Sequence, residues 1–414
     1  MMVDQSSNTF DFSIAYYSGN RATGSLAIID NKDGQIDVQQ LPTAEESGLD
    51  KALKPVFVGL TENREIIILN PKSKKISVQP DFPADAFAAH IYSDPYSNRD
   101  YFMNDGDKES GNDHLNCGDK GSSVTVIENT SSSAVKFLKT ICVGRGHHQA
   151  TFTGPSDNAP DVPLRAYISN LKDGTLSVIG NDPEDADTYL NVIDTISLCE
   201  PDKEESGGAG IPNNAFPHGL AYSPYSGKVY NLNNGYGTVV IIDPVTNQIE
   251  SRLEFKGHSN LFVTPDGRYI IGRGADRKSD NEHVIAKLTV LDLSTNTIAS
   301  SLDLLDIYIS KYYFNDEGTK LFLTTSSSGS PEQQKNLKTD ALLVFDLSSL
   351  PQLALTVEVR LGSSSGSLVF RSSNNQNLVF SSNSAEGVLA VLNENHAIVE
   401  KIKVNEGTSH SRAW

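Results

Sequence analysis

One repeated unit constrains this chain more than any other feature. It consists of a short strand-like run, a polar turn, a Gly leading into a second run that ends near Asp or Asn, another turn, and a further run. "AYYSGNRATGSLAIIDNKDGQIDVQQL" begins at Ala15, "AYISNLKDGTLSVIGND" at Ala166 and "VYNLNNGYGTVVIIDPVTNQIESRLEF" at Val229. Weaker copies are "REIIILNPKSKKISVQ", "SSVTVIENTSSSAVKFLKTI", "AKLTVLDLSTNTIASSLDLL", "ALLVFDLSSLPQLALTVEV" and "GVLAVLNENHAIVEKIKV". Helical periodicity is nearly absent. Short β-branched and aromatic runs punctuated by Gly, Asn, Asp, Ser and Pro are the pattern of an all-β chain.

The copies recur at roughly 40 to 60 residues, the spacing of four-stranded blades, so the expected fold is an all-β β-propeller spanning 1–414 as one domain. A first strand precedes each unit, as in "HGLAYSPYSGKVY", "HSNLFVTPDGRYI", "YYFNDEGTKLF" and "GSLVFRSSNNQNLVF". The chain ends on such a first strand, "GTSHSRAW", and begins on a second strand, "FDFSIAYYSG". The N- and C-terminal strands are expected to share one blade and close the ring, which removes exposed sheet edges. Eight blades are counted; the unit at 45–80 lacks a clear first strand, and seven remain if it is degenerate.

Charge and cysteine content narrow the function classes. Asp plus Glu total 52 against 34 Lys plus Arg, a formal charge of −18, which repels nucleic acid and anionic lipid on average. No run approaches the roughly 18 apolar residues of a membrane helix. Neither nucleic-acid binding nor membrane insertion is expected. The start, "MMVDQSSNTFDF", has no basic region followed by an apolar core; a mature periplasmic or extracellular chain is expected. The three cysteines, Cys117, Cys142 and Cys199, include no CxxC, which excludes zinc-ribbon and thioredoxin-like chemistry. Cys142 and Cys199 each end a strand-like run, and either a disulfide between them or two buried thiols would fit.

"AYYSGNRATGSLAIID", "AYISNLKDGTLSVIG" and "VTPDGRYIIG" resemble the YVTN-type blade. That grammar is shared by bacterial and archaeal surface-layer propellers, the haem d1 propellers and nitrous oxide reductase, and here it covers nearly the whole chain. The resemblance implies fold and leaves function to the site, because propellers host many unrelated activities.

The histidines supply a candidate site. Aligned on the aromatic before the first turn, "HHQATF", "HGLAY", "HSNLF" and "HSRAW" place His148, His218, His258 and His410 four residues before Phe152, Tyr222, Phe262 and Trp414. His90 in "AFAAHIYSDP" falls near the same level, shifted by about two residues. Six of the nine histidines lie at blade starts, where equivalent positions would converge on the channel axis. His148, His218, His258, His410 and His90 are the expected metal ligands. His147 is expected beside the site, because adjacent strand residues face opposite ways. The alternative is that each histidine hydrogen-bonds a neighbouring blade.

Imidazole sites suit copper, zinc and iron. More than four imidazoles exceed one tetrahedral zinc, so copper is the first expectation, with iron or zinc next. Histidine-rich copper clusters occur in nitrous oxide reductase and thiocyanate dehydrogenase, which this chain resembles in architecture. That resemblance implies a redox enzyme acting on a small-molecule substrate. Lacking a cupredoxin-like domain, the chain would need an external electron-transfer protein. Lys311 and Arg145 are the candidates for holding an anionic substrate. A haem d1-like tetrapyrrole is the alternative cofactor, with Arg145 and Arg273, together with Lys256 and Lys311, as the candidates for its carboxylates; a non-catalytic interaction scaffold is the third reading. "NDGDKESGND", counted from Asp105, fails the EF-hand pattern because Ser110 stands where Gly is needed, and is expected to be a solvated acidic loop.

Overall fold

The computed structural model describes residues 12–18, 26–32, 35–41, 47–51, 57–61, 66–70, 75–79, 88–105, 122–131, 134–204, 210–373, 376–383, 385–404 and 408–413. They form eight four-stranded antiparallel sheets. Numbered in chain order, the blades occupy 12–41 together with 408–413, then 47–79, 88–142, 150–197, 217–254, 260–305, 309–360 and 365–403. The fold is a β-propeller. The doubtful unit is a complete blade with a first strand at Ser47–Lys51. The first blade is shared by the two ends of the chain: Tyr17 stands opposite His410, and Ala15 opposite Arg412.

The chain divides into two compact units. One holds blades three to six, and the other holds blades one, two, seven and eight. Within each unit the strands read as their positions demand. In blades four and five the second and third strands are covered on both faces by adjoining blades. Arg99–Asn104 and Thr175–Gly180 are buried throughout, which explains near-continuous apolar runs such as "TVVIID" at Thr238–Asp243. Fourth strands are outermost and half-exposed. Gln248–Glu254 and Ile398–Lys403 carry charges that blunt the sheet edge.

Adjoining blades share their cores. Tyr101, Val124 and Val126 of blade three pack with Phe152, Ala166 and Ile179 of blade four. Tyr167 and Val178 of blade four pack with Leu220, Val229 and Val240 of blade five. Each fully buried Val or Ile contributes about 1.5–3 kcal/mol.

A polar latch recurs between these blades. The third residue of the second strand is Tyr101, Tyr167 and Tyr230 in blades three, four and five. Each hydroxyl donates to an asparagine of the following blade: Tyr101 to Asn181 (2.5 Å), Tyr167 to Asn247 (2.7 Å) and Tyr230 to Asn296 (3.4 Å). The basic residue two positions earlier joins in, with Arg99 donating to the Asn181 carbonyl at 2.9 Å and Arg165 to Asn247 Oδ1 at 2.5 Å. A buried tyrosine keeps its payload only if its hydroxyl finds a partner, and the latch provides one.

Candidate metal site

The loop Gly144–His148 joins the last strand of blade three to the first strand of blade four (Ala150–Thr153). It is held from below. Buried Asp173 accepts from the Arg145 backbone N–H at 2.7 Å and from Arg145 Nε at 2.8 Å. Lys172 N donates to the Arg145 carbonyl and Leu171 N to that of His147. Gly146 N donates to Ser122 Oγ, which in turn donates to the Asp105 carbonyl. Gly146 has φ +108°, and a Cβ there would lie 2.7 Å from Lys172 N, so no other residue fits without moving the loop.

This loop delivers His147 to a cluster. His147 Nδ1 donates to Asp105 Oδ2 at 2.8 Å, which leaves the lone pair on Nε2. That atom lies 3.0 Å from His90 Nε2, with ring centroids 4.7 Å apart. On the other side His218 stacks along His147, with centroids 5.9 Å apart and planes 20° apart. His218 Nδ1 donates to the Ser259 carbonyl at 2.9 Å, so its Nε2 also carries a lone pair. Burial, helped by nearby His147 and Arg273, holds His218 below the ordinary imidazole pKa and therefore neutral at pH 7. Strand bulges aim two of the rings. Register shifts between Ala88 and His90 and between Pro217 and Leu220, with Gly219 at φ +127°, break the alternation where His90 and His218 stand.

The structure brings together His90, His147 and His218 from three successive blades, with Asp105 behind His147. It does not bring His148 or His258 to them. The expected roles of the adjacent pair are reversed. His148 is fully buried; its Nδ1 donates to the Ser169 carbonyl at 2.8 Å, its Nε2 has no partner among the described residues, and burial pushes its pKa down to about 4. The reason is that both histidines precede the strand, so strand alternation does not govern them. His258, in the connector from blade five to blade six, spends both ring nitrogens locally, donating to the Phe255 carbonyl at 3.3 Å and accepting from Thr289 Oγ1 of blade six at 2.9 Å, with its ring 4.2 Å from that of Phe255. The side chain of His410 lies outside the described residues, as do His114 and Cys117.

Arg145 is the loop's anchor on Asp173, and Lys311 Nζ donates to the Gly366 carbonyl of the next blade. Cys142 is in a disulfide and Cys199 is a buried thiol, so the two are not joined. Asp105, read from the sequence as the start of a solvated loop, is buried and bonded to His147. Among the described residues no three His, Cys, Asp or Glu side chains already stand at the spacing of a closed metal site. The trio is assembled pairwise.

No protein-family model and no curated sequence matches this chain. Solved structures do. Dihydro-haem d1 dehydrogenase NirN, in complex with DHE, superposes with a TM-score of 0.62 at 9% identity over 98% of this chain and 75% of that one. Apo AztD from Citrobacter koseri gives 0.58 at 11% identity over 98% of both chains. A putative 6-phosphogluconolactonase from Bacteroides fragilis gives 0.53 at 12% identity over 99% of this chain and all of that one. The likeness is one of fold: like these solved structures, the protein is a β-propeller. Among the described residues no helix is long and apolar enough to cross a membrane.

Proposed function

We propose that His90, His147 and His218 bind one divalent transition-metal ion through their Nε2 atoms, and that reversible binding of this ion is the protein's function. The observation that carries this reading is the 3.0 Å approach of two imidazole Nε2 atoms while the Nδ1 of His147 is held by a carboxylate. A carboxylate behind a ligating histidine sets its tautomer and raises its basicity. His147 and His218 are already in the ligating tautomer. His90 would move its Nε2 proton to Nδ1 or release it. With three imidazoles gathered rather than five, one ion suffices. Three nitrogens with a position open to water or a fourth donor suit zinc first and copper next. Bound there, the ion would act as a Lewis acid toward whatever occupies the open position. Copper redox chemistry and an electron-transfer partner have no specific support in this arrangement.

A tetrapyrrole such as the one NirN holds would require free arginines for its carboxylates, and Arg145 is committed to Asp173. The disulfide at Cys142 supports a periplasmic or extracellular location, because disulfides persist in oxidising compartments. The test is cobalt(II) and zinc titration of tag-free, metal-stripped protein. One equivalent should bind, with a tetrahedral cobalt spectrum. H147A and H218A should weaken binding by about 100-fold or more and D105N by about 10-fold, while H258Q leaves it unchanged. Binding of less than about one-tenth equivalent, or full binding by H147A, would sink the reading.

A further inference from the structure

Two of the three ligand segments of the metal site rest on one turn. It comprises residues 171–174, between the second strand (Arg165–Asn170) and the third strand (Thr175–Gly180) of blade four. On one side the turn holds the loop that carries His147. Leu171 N donates to the carbonyl of His147 itself at 3.3 Å, and Lys172 N to that of Arg145 at 3.0 Å. The Asp173 carboxylate accepts from both the backbone N–H and Nε of Arg145. On the other side the turn holds the segment that leads into His218. The Gly174 carbonyl accepts from Asn213 Nδ2 at 3.1 Å, and Asn213 Oδ1 accepts from Ala215 N at 3.1 Å. Gly174 is left-handed at φ +66°, and a Cβ there would stand 1.9 Å from Asn213 Oδ1, so only glycine lets the amide approach. Asp173 and Asn213 are 1% and 6% exposed, and hydrogen bonds shielded from water in this way are strengthened.

The segment 213–216 is held more firmly than a connector requires. Glu204 accepts from Asn214 N at 2.6 Å and from its Nδ2 at 3.1 Å. Gly235 N donates to the Ala215 carbonyl at 2.9 Å, and Asn234 N to that of Phe216 at 3.3 Å. Between these bonds Phe216 is kept at φ +44°, a conformation that bulky side chains avoid. Such strain persists where the surroundings over-determine the backbone, and it clusters at functional sites. Two residues further on is His218, whose ring stacks on His147 with centroids 5.9 Å apart. Aromatic rings pair at centroid separations from about 4.5 to 7 Å, so the ring contact by itself does not fix where the two Nε2 atoms stand. The backbone supports do.

We propose that Asp173 and Asn213 are positioning residues of the metal site. Through the shared turn they set the separation of His147 and His218, and with it the preference of the site for a tetrahedral ion over a tetragonal one. The inference rests on the metal reading above.

The test measures zinc and nickel(II) affinity and the cobalt(II) spectrum of the tag-free full chain. D173N and N213A should each weaken zinc binding by about 10-fold or more, as loss of a ligand's support does. Nickel, which favours tetragonal sites, should be weakened less, and the tetrahedral cobalt bands should lose intensity. N213A leaves the Asp173–Arg145 pair intact, so it tests the inference whatever D173N does to folding. The double variant should weaken zinc by less than the product of the two single factors, because both act through one turn. N247A, destabilised at the blade latch, controls for general loss of stability and should bind zinc as the wild type does. Wild-type protein that binds neither zinc nor cobalt overturns the metal reading and this inference with it. Wild-type binding, with zinc affinity and zinc-to-nickel ratio unchanged in N213A, overturns this inference alone, as does an equal loss in N247A. A strictly multiplicative double variant would show two separate supports and overturn the shared turn.

Discussion

The blade latch should carry measurable stability, and Asn247 is where to weigh it. Its Oδ1 accepts from the buried Tyr167 hydroxyl at 2.7 Å and from Arg165 at 2.5 Å, and its backbone is left-handed at φ +59°. Asn247→Ala removes both bonds and puts a residue that dislikes this conformation in its place. Leaving the tyrosine hydroxyl without a partner costs about 1–2 kcal/mol. The left-handed backbone adds about 1 kcal/mol for alanine over asparagine or glycine. The sum is about 2–3 kcal/mol. Asn247→Gly loses the same bonds without the strain and should cost about 1 kcal/mol less than the alanine. Tyr167→Phe removes one donor and leaves Arg165 on the acceptor, costing about 1 kcal/mol. Tyr230→Phe should cost less, because its bond to Asn296 is 3.4 Å long. Urea unfolding followed by near-ultraviolet circular dichroism gives the midpoints. The double variant Tyr167→Phe/Asn247→Gly should cost less than the two single changes added together, by about 1 kcal/mol, because both remove the same bond. Equal midpoints for Asn247→Ala and Asn247→Gly would refute the strain component. An additive double variant would refute the latch.

Gly146→Ala should displace the histidine loop and weaken zinc binding by about 10-fold or more, as misplacing a ligand's supporting shell does; unchanged affinity by titration would contradict the 2.7 Å clash with Lys172 N. His258 titrates below its ordinary value, chiefly because burial disfavours its charged form. The unfolded chain therefore binds the proton first as pH falls. Its contribution to stability is full above about pH 6.5 and is lost as pH drops toward the lower folded value. His258→Gln should flatten the dependence of the urea midpoint on pH in that window, and parallel curves for variant and wild type would count against it. Cys142→Ser, or reduction of the disulfide, should lower stability by about 2–4 kcal/mol, measured as a midpoint shift relative to the oxidised protein.

The blades were legible because repetition multiplies a weak signal. One strand–turn–strand run is ambiguous, but eight at blade spacing are not, and even the unit at 47–79 has the same four strands as its neighbours. The site was legible as a place and not as a set of side chains. Blade-start histidines do meet, yet equal spacing from an aromatic did not select which ones. His218 sits in a bulge with Gly219, and His147 sits in a loop turned by Gly146, so neither follows strand alternation. His258 has the expected spacing, but across from it Gly272 leaves the room that the rings of Phe255 and His258 fill; a Cβ there would lie 2.1 Å from Phe255 and 3.0 Å from His258. That glycine was visible in the sequence, and it predicts an inward-packed histidine. Asp105 was hidden because a carboxylate at the end of a strand looks like the first residue of the acidic loop after it.

The latch is equally legible in the sequence. "RDYF", "RAYI" and "KVYN" share a basic residue and a tyrosine two positions apart; the second strand of blade six has Ile271 in third place, and "KLFL" of blade seven keeps the basic residue but has Phe322 where the tyrosine stood. A lone Tyr-to-Phe change would leave an asparagine carbonyl short of a donor, and a lone Asn-to-His change would leave a tyrosine hydroxyl facing a ring. Both changes occur together between blades seven and eight, with the lysine retained. Paired departures from a repeated device remove one bond, and His396, at φ +61°, stands where the latch has its left-handed asparagine. The His396 ring instead meets the ring of Phe322 edge to face, with centroids 5.5 Å apart, so the altered pair replaces a hydrogen bond with a packed aromatic contact.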